Sequence, residues 1–353
     1  MNYWLLFLPF ILSLLFCPVI IAICKKFGWY DEIDPRKIHT GNIPRMGGVA
    51  VFLSFFTVFI IAVIRFGNVD LINFIPIIIG GAVIFVAGVL DDFVNLHARV
   101  KFAIQIFAAV CASFGPCYIG KFFGIDMHWL LGKSLSFIWV LVLVNAYNLI
   151  DGLDLLCGGL SFISFCTIGL VYILCGDVFW GFLVFSLALA VLGFLFWNKP
   201  KAKLFLGDGG SQSLGYFIAV FPLFPSNNVE FESGKFIVCL LLSSIPVLDV
   251  AAAIIRRIRE KRSLFSADRA HLHHKLINIG FSNVTAALFL NFMQLVISSV
   301  ILFAVLYKPR FGMIYLVGAY LLILLFFSVV HYRNRYVNAH NEGHLEDHPQ
   351  KEH

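Results

Sequence analysis

The chain has 353 residues, of which 60% are hydrophobic and only 13% charged, and its mean hydropathy is +0.90. Soluble domains are nearer half apolar and a quarter charged, so this composition excludes an ordinary soluble protein. It predicts an all-α polytopic integral membrane protein. The net charge of +6 is modest, and we expect no nucleic-acid partner. The eight cysteines form no C-x-x-C pair, which indicates neither a zinc site nor a disulfide framework.

Apolar runs long enough to cross a bilayer recur along the whole chain. The first run has no basic segment before it and no small-residue cleavage site, so we interpret it as a retained span. The eighth run is shorter than the others. We predict about eleven transmembrane helices, at residues 3–24, 47–65, 73–90, 100–118, 133–150, 158–175, 179–197, 212–225, 235–255, 284–306 and 311–331.

The distribution of basic residues predicts the orientation of these spans. If the N-terminus is outside, 20 of the 26 Lys and Arg residues fall on the cytoplasmic side. Because cytoplasmic loops carry the excess of Lys and Arg, we predict an outside N-terminus and a cytoplasmic C-terminus. Residues 1–335 would then form the membrane domain. Residues 336–353 are polar and rich in His, Glu and Asn, and we expect a disordered cytoplasmic tail there.

A polar stretch, Asn145 to Asp154, follows the fifth predicted span. Ionisable groups at membrane depth are costly and mark functional sites by default. On a helix, Asn148 and Asp151 are three residues apart and share a face. Carboxylate and amide oxygens are hard ligands that suit Mg²⁺ and phosphates bound to it. The alternative interpretation is a helix end that simply reaches water.

Three further polar clusters have similar alternatives. Asp91-Asp92 ends the third span, where neighbouring carboxylates recruit a cation or a proton, or merely cap the helix. A glycine-rich turn around Asp208 opens the eighth span and suits phosphate binding, or is a plain turn. His271, His273 and His274 lie in a basic loop that is either solvated or grips a diphosphate. Their spacing does not fit a zinc site.

All four clusters fall on the predicted cytoplasmic side. A transporter or channel would place acidic residues in mid-span and open its site to both sides of the membrane. Here the acids lie at span ends on one side only, and the sequence has no internal repeat. This arrangement favours a cytoplasmic active site at the membrane surface, with the transporter as the alternative from another functional class.

Together the motifs resemble the polyprenyl-phosphate N-acetylhexosamine-1-phosphate transferases, which are integral membrane enzymes. The resemblance covers residues 25–280, and the order and spacing of its motifs are specific. The matching motifs are Arg36-Lys37-x-His39, Pro44-x-x-Gly47-Gly48, Asp91-Asp92, Asn145-x-x-Asn148-x-x-Asp151-Gly-x-Asp154, Phe205-x-Gly-Asp208 and His271-x-His273-His274. The family implies transfer of a sugar-1-phosphate from a UDP-sugar to undecaprenyl phosphate at the cytoplasmic face of the bacterial plasma membrane, with release of UMP.

The resemblance also implies roles for individual residues. Asp208 would be the ligand of Mg²⁺, or of Mn²⁺ in its place. Asp91 would orient or deprotonate the lipid phosphate, whereas Asp92, Asp151 and Asp154 would shape the metal and nucleotide site. Substrate binding is expected from Lys37, His39, Lys101, Asn145, Asn148, Arg269, His271, His273 and His274. A double displacement through an Asp nucleophile, and assembly as a homodimer, stay open.

The histidine motif indicates a branch of the family. The branch that uses a sugar-pentapeptide nucleotide has three consecutive histidines, whereas Leu272 interrupts the run here, as in the branch that takes UDP-N-acetylglucosamine. Residues 155–159 after Asp154 also differ from the Asp-Gly-Leu of the pentapeptide branch. We therefore expect UDP-N-acetylglucosamine as donor. Another UDP-N-acetylated sugar, in an O-antigen or teichoic-acid route of cell wall biogenesis, is the alternative.

Cysteine labelling tests the predicted orientation. In a cysteine-free background, Ser266→Cys places a thiol in the basic histidine loop, which the excess of Lys and Arg assigns to the cytoplasm. We expect membrane-impermeant maleimide to label it only after the cells are opened. Labelling of intact cells would reverse the orientation.

Overall fold

The structure is a computed structural model that describes residues 4–30, 43–66, 74–261, 263, 271–306 and 309–347. Three of the predicted substrate-binding residues, Lys37, His39 and Arg269, lie outside the described residues.

The described chain is almost entirely helical. The helices are α1 (Trp4–Phe27), α2 (Gly47–Phe66), α3 (Ile75–Val94), α4 (Ala98–Phe114), α5 (Trp129–Ile150), α6 (Leu156–Leu174), α7 (Val178–Asn198), α8 (Gly207–Val220), α9 (Val229–Leu242), α10 (Ser244–Arg259), α11 (Leu272–Asn278), α12 (Asn283–Leu306) and α13 (Pro309–Asp347). A 3₁₀ turn, Phe221–Leu223, follows α8. A short antiparallel hairpin, β1 (Lys121–Phe122) and β2 (Ile125–Asp126), precedes α5.

The prediction of an all-helical polytopic membrane protein is confirmed. Among the described residues, eight helices are long and apolar enough to cross a membrane, and α9 with α10 would form a ninth span with a bend of 63°. Helices α4 and α8, with 17 and 14 residues, are shorter than these eight helices, although both overlap predicted spans. The count of eleven spans and the orientation therefore stay predictions.

The break between α9 and α10 has a clear local cause. Pro246 has no backbone N–H, and its ring clashes with the carbonyl of the residue four positions earlier, Leu242. Within a membrane the released carbonyl needs another donor. The fully buried Gln294 of α12 donates to the Leu242 carbonyl at 3.0 Å and to Ser164 Oγ of α6 at 3.0 Å. The break is thus satisfied by neighbouring helices.

Helix α8 lies at the centre of the bundle against α2, α3 and α5. Its backbone approaches its neighbours through pairs of glycines. A Cβ atom on Gly88 of α3 would lie 2.5 Å from the Cα of Gly209, and one on Gly48 of α2 would overlap Gly210 in the same way. Small residues allow such close helix contacts in membrane proteins. The glycines therefore bring the ends of α2 and α3 directly onto the start of α8.

The last helix extends beyond the predicted domain boundary. The sequence predicts a disordered tail from residue 336, whereas α13 continues to Asp347. The division of the chain at residue 335 stays a prediction.

Gly88→Ala should lower the stability of the bundle. The added methyl group must push α3 and α8 apart, and overpacking of this kind costs roughly 1–3 kcal/mol. We expect a lower melting temperature of the detergent-solubilised protein. Gly318→Ala in α13 is the matched control, because nothing lies within 4 Å of the added atom. Equal melting temperatures for the two variants would contradict the close contact.

Candidate active site

Asp92 caps the N-terminus of α8 from the neighbouring helix α3. Its Oδ1 accepts the backbone N–H of Asp208 at 2.9 Å, and its Oδ2 accepts that of Gly209 at 3.2 Å. The first N–H groups of a helix have no partner within the helix and favour a negative charge. Gly207 enters the helix with φ +79°, and a side chain there would meet Asp92 Oδ2 at 2.6 Å. Asp92 therefore fixes where α8 begins.

The carboxylate of Asp208 lies at this capped end, beside the side chains of Arg45, Asn148, Lys101 and Asp91. Arg45 Nη2 is 3.3 Å and Asn148 Nδ2 3.2 Å from Oδ1, and Lys101 Nζ is 3.6 Å from Oδ2. Asn148 also donates to Ser211 Oγ at 3.1 Å, which joins the end of α5 to α8. The structure thus brings together the predicted residues Asp208, Asn148 and Lys101.

Arg45 is a site residue that the sequence analysis did not single out. Its Nε lies 3.8 Å from Asp92 Oδ1, so one guanidinium spans Asp92 and Asp208. The segment that precedes α2 is held there because the N–H of Phe205 donates to the Pro44 carbonyl at 2.8 Å. The available signal was the position of Arg45 within the Pro-Arg-Met-Gly-Gly turn.

Lys101 joins Asp91 to Asp208. Its Nζ forms an ion pair with Asp91 Oδ2 as well as the contact with Asp208. Asp91 is only 3% exposed, and its Oδ1 accepts the N–H of Leu96 at 2.7 Å. Two carboxylates therefore converge on one cation, as expected for acids that cannot share a site without positive charge.

Asp151 follows α5, and the charges of the same cluster affect its pKa. Burial, which disfavours the carboxylate, raises the pKa of Asp151 to about 7. The positive charge of Arg45 opposes this rise, and the negative charges of Asp208, Asp92 and Asp154 add to it. Asp151 is therefore a carboxyl whose ionisation depends on the charge that the site holds.

Asp154 is turned towards the segment that leads into α8. Its Oδ2 accepts the N–H of Ala202 at 3.1 Å. The next residue, Leu155, has φ +65°, and its N–H donates to Asn198 Oδ1 at 2.9 Å. Asn198 in turn donates to the Leu204 carbonyl at 3.0 Å. In the structure Asp154 thus helps to hold the connection between α7 and α8.

Asn145 lies in a buried amide chain away from the carboxylates. Its Nδ2 donates to Gln105 Oε1 and to the Leu141 carbonyl, both at 2.8 Å, and Gln105 Nε2 donates to Gln212 Oε1 at 3.1 Å. These bonds join α4, α5 and α8 beneath the site. The sequence analysis missed Gln105 and Gln212, although an amide inside an apolar run was a visible signal.

Helix α11 brings the histidine motif to the Asp151-Gly152 turn. The ring of His273 covers Gly152 so closely that an added Cβ would lie 2.7 Å from its Nε2. Burial, with a smaller effect of neighbouring His274, lowers the pKa of His273 to about 3. At neutral pH this imidazole is uncharged, so it would bind a ligand as a hydrogen-bonding group rather than as a cation.

The donor set fits a magnesium ion that also takes ligands from its substrate. Within the described residues, no group of three or more His, Cys, Asp or Glu side chains is arranged to hold a metal ion alone. Magnesium in phosphoryl-transfer sites is usually bound by one or two carboxylates together with substrate phosphates. Asp208 and Asp91, which already share a cation in Lys101, provide such a pair.

Asp151→Asn should change how stability depends on pH. Because the pKa of Asp151 is raised from 3.8 to about 7, the folded protein binds this proton more tightly than the unfolded chain, and stability falls as pH rises through that interval. Without substrates, we expect the variant to melt at a higher temperature than the wild type at pH 8, with a smaller difference at pH 5. Asp126→Asn in the exposed hairpin is the control. A pH dependence of stability equal to that of the wild type would show that burial does not raise the pKa of Asp151.

Comparison with known proteins gives one family. The glycosyl transferase family 4 model matches residues 74–225. A probable undecaprenyl-phosphate N-acetylglucosaminyl 1-phosphate transferase of Bacillus subtilis is 34% identical over 290 residues, 78% of each chain. The undecaprenyl-phosphate alpha-N-acetylglucosaminyl 1-phosphate transferases of Thermotoga maritima and Escherichia coli K12 are 31% and 29% identical, over 75% and 82% of this chain and 78% and 80% of theirs.

The clusters that meet at the start of α8 are the motifs by which the sequence resembles such enzymes, and the matched segment contains Asp91, Asp92, Asn148, Asp151 and Asp208. The chain belongs to glycosyl transferase family 4, among the polyprenyl-phosphate N-acetylhexosamine-1-phosphate transferases.

Proposed function

We propose that the protein transfers N-acetylglucosamine-1-phosphate from UDP-N-acetylglucosamine to undecaprenyl phosphate. The products would be undecaprenyl-diphospho-N-acetylglucosamine and UMP. The observation that carries this proposal is the position of Asp208, at a capped helix N-terminus between Arg45, Lys101 and Asn148. The relatives are named as undecaprenyl-phosphate N-acetylglucosaminyl 1-phosphate transferases, which supports the acceptor and the transferred group.

The reaction must bring two anions together. An oxygen of the lipid phosphate forms a bond to the phosphorus that carries the sugar, and the bond from that phosphorus to the bridging oxygen breaks, so that UMP leaves with the bridging oxygen. The second pKa of a phosphate monoester is about 6. At neutral pH the attacking oxygen therefore needs little help from a base, and positioning with charge neutralisation is the main requirement.

The residues of the cluster divide these tasks. Asp208 and Asp91 would hold Mg²⁺ or Mn²⁺, which when bound neutralises the diphosphate and the leaving group. Lys101, released from the two carboxylates, would bind the lipid phosphate. Arg45 presents a guanidinium suited to two phosphate oxygens at once. Asp92 acts by positioning, because both of its oxygens accept backbone N–H groups of α8.

The ring of His273 lies beside this centre, over Gly152. His273, above the Asp151-Gly152 turn, would hold the sugar or the diphosphate as a neutral hydrogen-bonding group. His274, whose ring centroid lies 4.3 Å from that of His273, would bind the same ligand. Asp151 and Asp154 would shape the nucleotide side of the site. The roles assigned to Lys37, His39 and Arg269 in donor binding rest on the family resemblance.

The same geometry supports a membrane-surface reaction. The cluster lies where α3 and α5 end and α8 begins, and not in the middle of any span. An aqueous nucleotide sugar can therefore meet a lipid phosphate held at the headgroup level. The proposed setting is the cytoplasmic face of a bacterial plasma membrane, where UDP-sugars are present.

Asp208→Asn should abolish transfer without disturbing the fold. A neutral amide is a poor Mg²⁺ ligand, and loss of one such electrostatic contact costs about 100-fold or more in kcat. The measurement is UMP release by purified protein with UDP-N-acetylglucosamine, undecaprenyl phosphate and Mg²⁺. The control is Asp126→Asn, which changes an exposed carboxylate of the hairpin. Near-normal turnover of a monodisperse Asp208→Asn protein would remove Asp208 from the metal site.

A donor panel tests the sugar assignment. We expect efficient UMP release with UDP-N-acetylglucosamine and little with UDP-muramoyl-pentapeptide. The direction of this preference comes from the family resemblance, in which a histidine motif interrupted as by Leu272 marks the N-acetylglucosamine branch. Other UDP-N-acetylhexosamines complete the panel. Preference for the pentapeptide donor would overturn the branch and leave the reaction class intact. No UMP release with any donor would overturn the reaction class.

A further inference from the structure

We propose that Asp249 of α10 is a positioning residue that orients His271 and locks α11 against the active site. This inference rests on the proposed function, since it concerns how the same site receives the donor. Asp249 does not belong to any of the motifs by which the chain resembles its family.

Each oxygen of the Asp249 carboxylate contacts a different group of the His271-Leu272 segment, an arrangement that we call the clamp. Its Oδ2 lies 3.0 Å from His271 Nδ1, and its Oδ1 accepts the backbone N–H of Leu272 at 2.7 Å. Asp249 and His271 are 2% and 5% exposed. Burying an acidic side chain is costly unless its oxygens are hydrogen-bonded, and the two contacts satisfy both oxygens of Asp249.

The clamp provides the N-terminal hydrogen bond that α11 does not make with its own cap residue. The helix has only seven residues, and the side chain of its N-cap residue, His271, makes no capping hydrogen bond. So short a helix does not hold its own form in water. Asp249 caps it from another helix through the Leu272 N–H, which is thereby unavailable to a substrate phosphate.

The clamp is connected to the catalytic cluster through the histidines. The rings of His271 and His273 are nearly parallel, at 8°, with centroids 6.0 Å apart. His273 covers Gly152, next to Asp151, and α10 packs on α5, which carries this turn. A shift of His271 would therefore move His273 relative to the Asp151-Gly152 turn. Asp249 thus controls the distance between the histidine motif and the carboxylates.

The carboxylate also selects the tautomer of His271. A carboxylate oxygen facing Nδ1 favours the ring form that carries its proton on that nitrogen, which determines the hydrogen-bonding role left to Nε2. Asp249→Asn keeps the size of the side chain and an oxygen for the Leu272 N–H. It removes the charge and places an amide N–H₂ opposite Nδ1, which selects the other tautomer. The substitution therefore separates orientation of His271 from capping of α11.

A double-mutant cycle tests the proposal with wild type, Asp249→Asn, His271→Ala and the double variant. We expect Asp249→Asn to lower kcat/KM for UDP-N-acetylglucosamine by about 10–100-fold, the usual effect of removing a carboxylate that orients a functional histidine. The KM for undecaprenyl phosphate should stay within about twofold. In the His271→Ala background the same change should cost less than about twofold, because the residue it acts through is gone.

Calorimetry measures the affinity of the same four proteins for UDP-N-acetylglucosamine. These affinities give the double-mutant cycle without any turnover. Asp177→Asn, which alters a carboxylate paired with Ser226 at the other end of the bundle, is the matched control. Equal losses in both backgrounds would overturn the proposal, because Asp249 would then act independently of His271. If Asp249→Asn does not fold, Asp249→Glu replaces it, and failure of both variants to fold would assign Asp249 to the fold alone. Absence of UMP release by the wild type would instead refute the proposed function.

Discussion

The start of α8 is the constraint on which the rest of the structure depends. The first N–H groups of a helix have no partner within the helix, and where they are buried in a packed bundle they must find acceptors elsewhere. Asp92 supplies two acceptors from α3, and glycines at the contacts with α2 and α3 let the backbones approach closely enough. The position of Asp208 follows directly, since it is the first residue after Gly207 in that capped turn.

Charge balance then determines which other residues gather at this point. Three carboxylates, of Asp91, Asp92 and Asp208, would repel one another without Arg45 and Lys101 between them. In the proposed reaction a metal ion would replace Lys101 between Asp91 and Asp208. A similar device recurs at α11, where Asp249 caps a helix from outside it and orients a functional side chain at the same time.

Part of the site was predictable because its acids lie at span ends on a single side. That pattern was enough to group Asp91, Asp92, Asn148, Asp151 and Asp208. Spacing along the chain does not reveal which side chains meet across helices, so neither Arg45 nor the bond between Asn145 and Gln105 was predicted. The assignment of Asn145 to substrate binding stays a prediction. Asp249 lies inside the predicted span 235–255 and is an exception to the expectation that the acids lie at span ends. A lone acid there is costly, so that signal was available. Pro246 likewise marked the break of the ninth predicted span.

The central claim is that Asp92 places Asp208 where the metal and the diphosphate meet. Electron paramagnetic resonance of Mn²⁺, titrated into the protein with UDP-N-acetylglucosamine, tests it most directly, because the signal reports binding without turnover. Asp208→Asn should remove the bound signal, and Asp92→Asn should weaken Mn²⁺ binding by about 10-fold or more, although Asp92 itself faces the α8 backbone. Wild-type Mn²⁺ affinity in a folded Asp92→Asn protein would contradict the account.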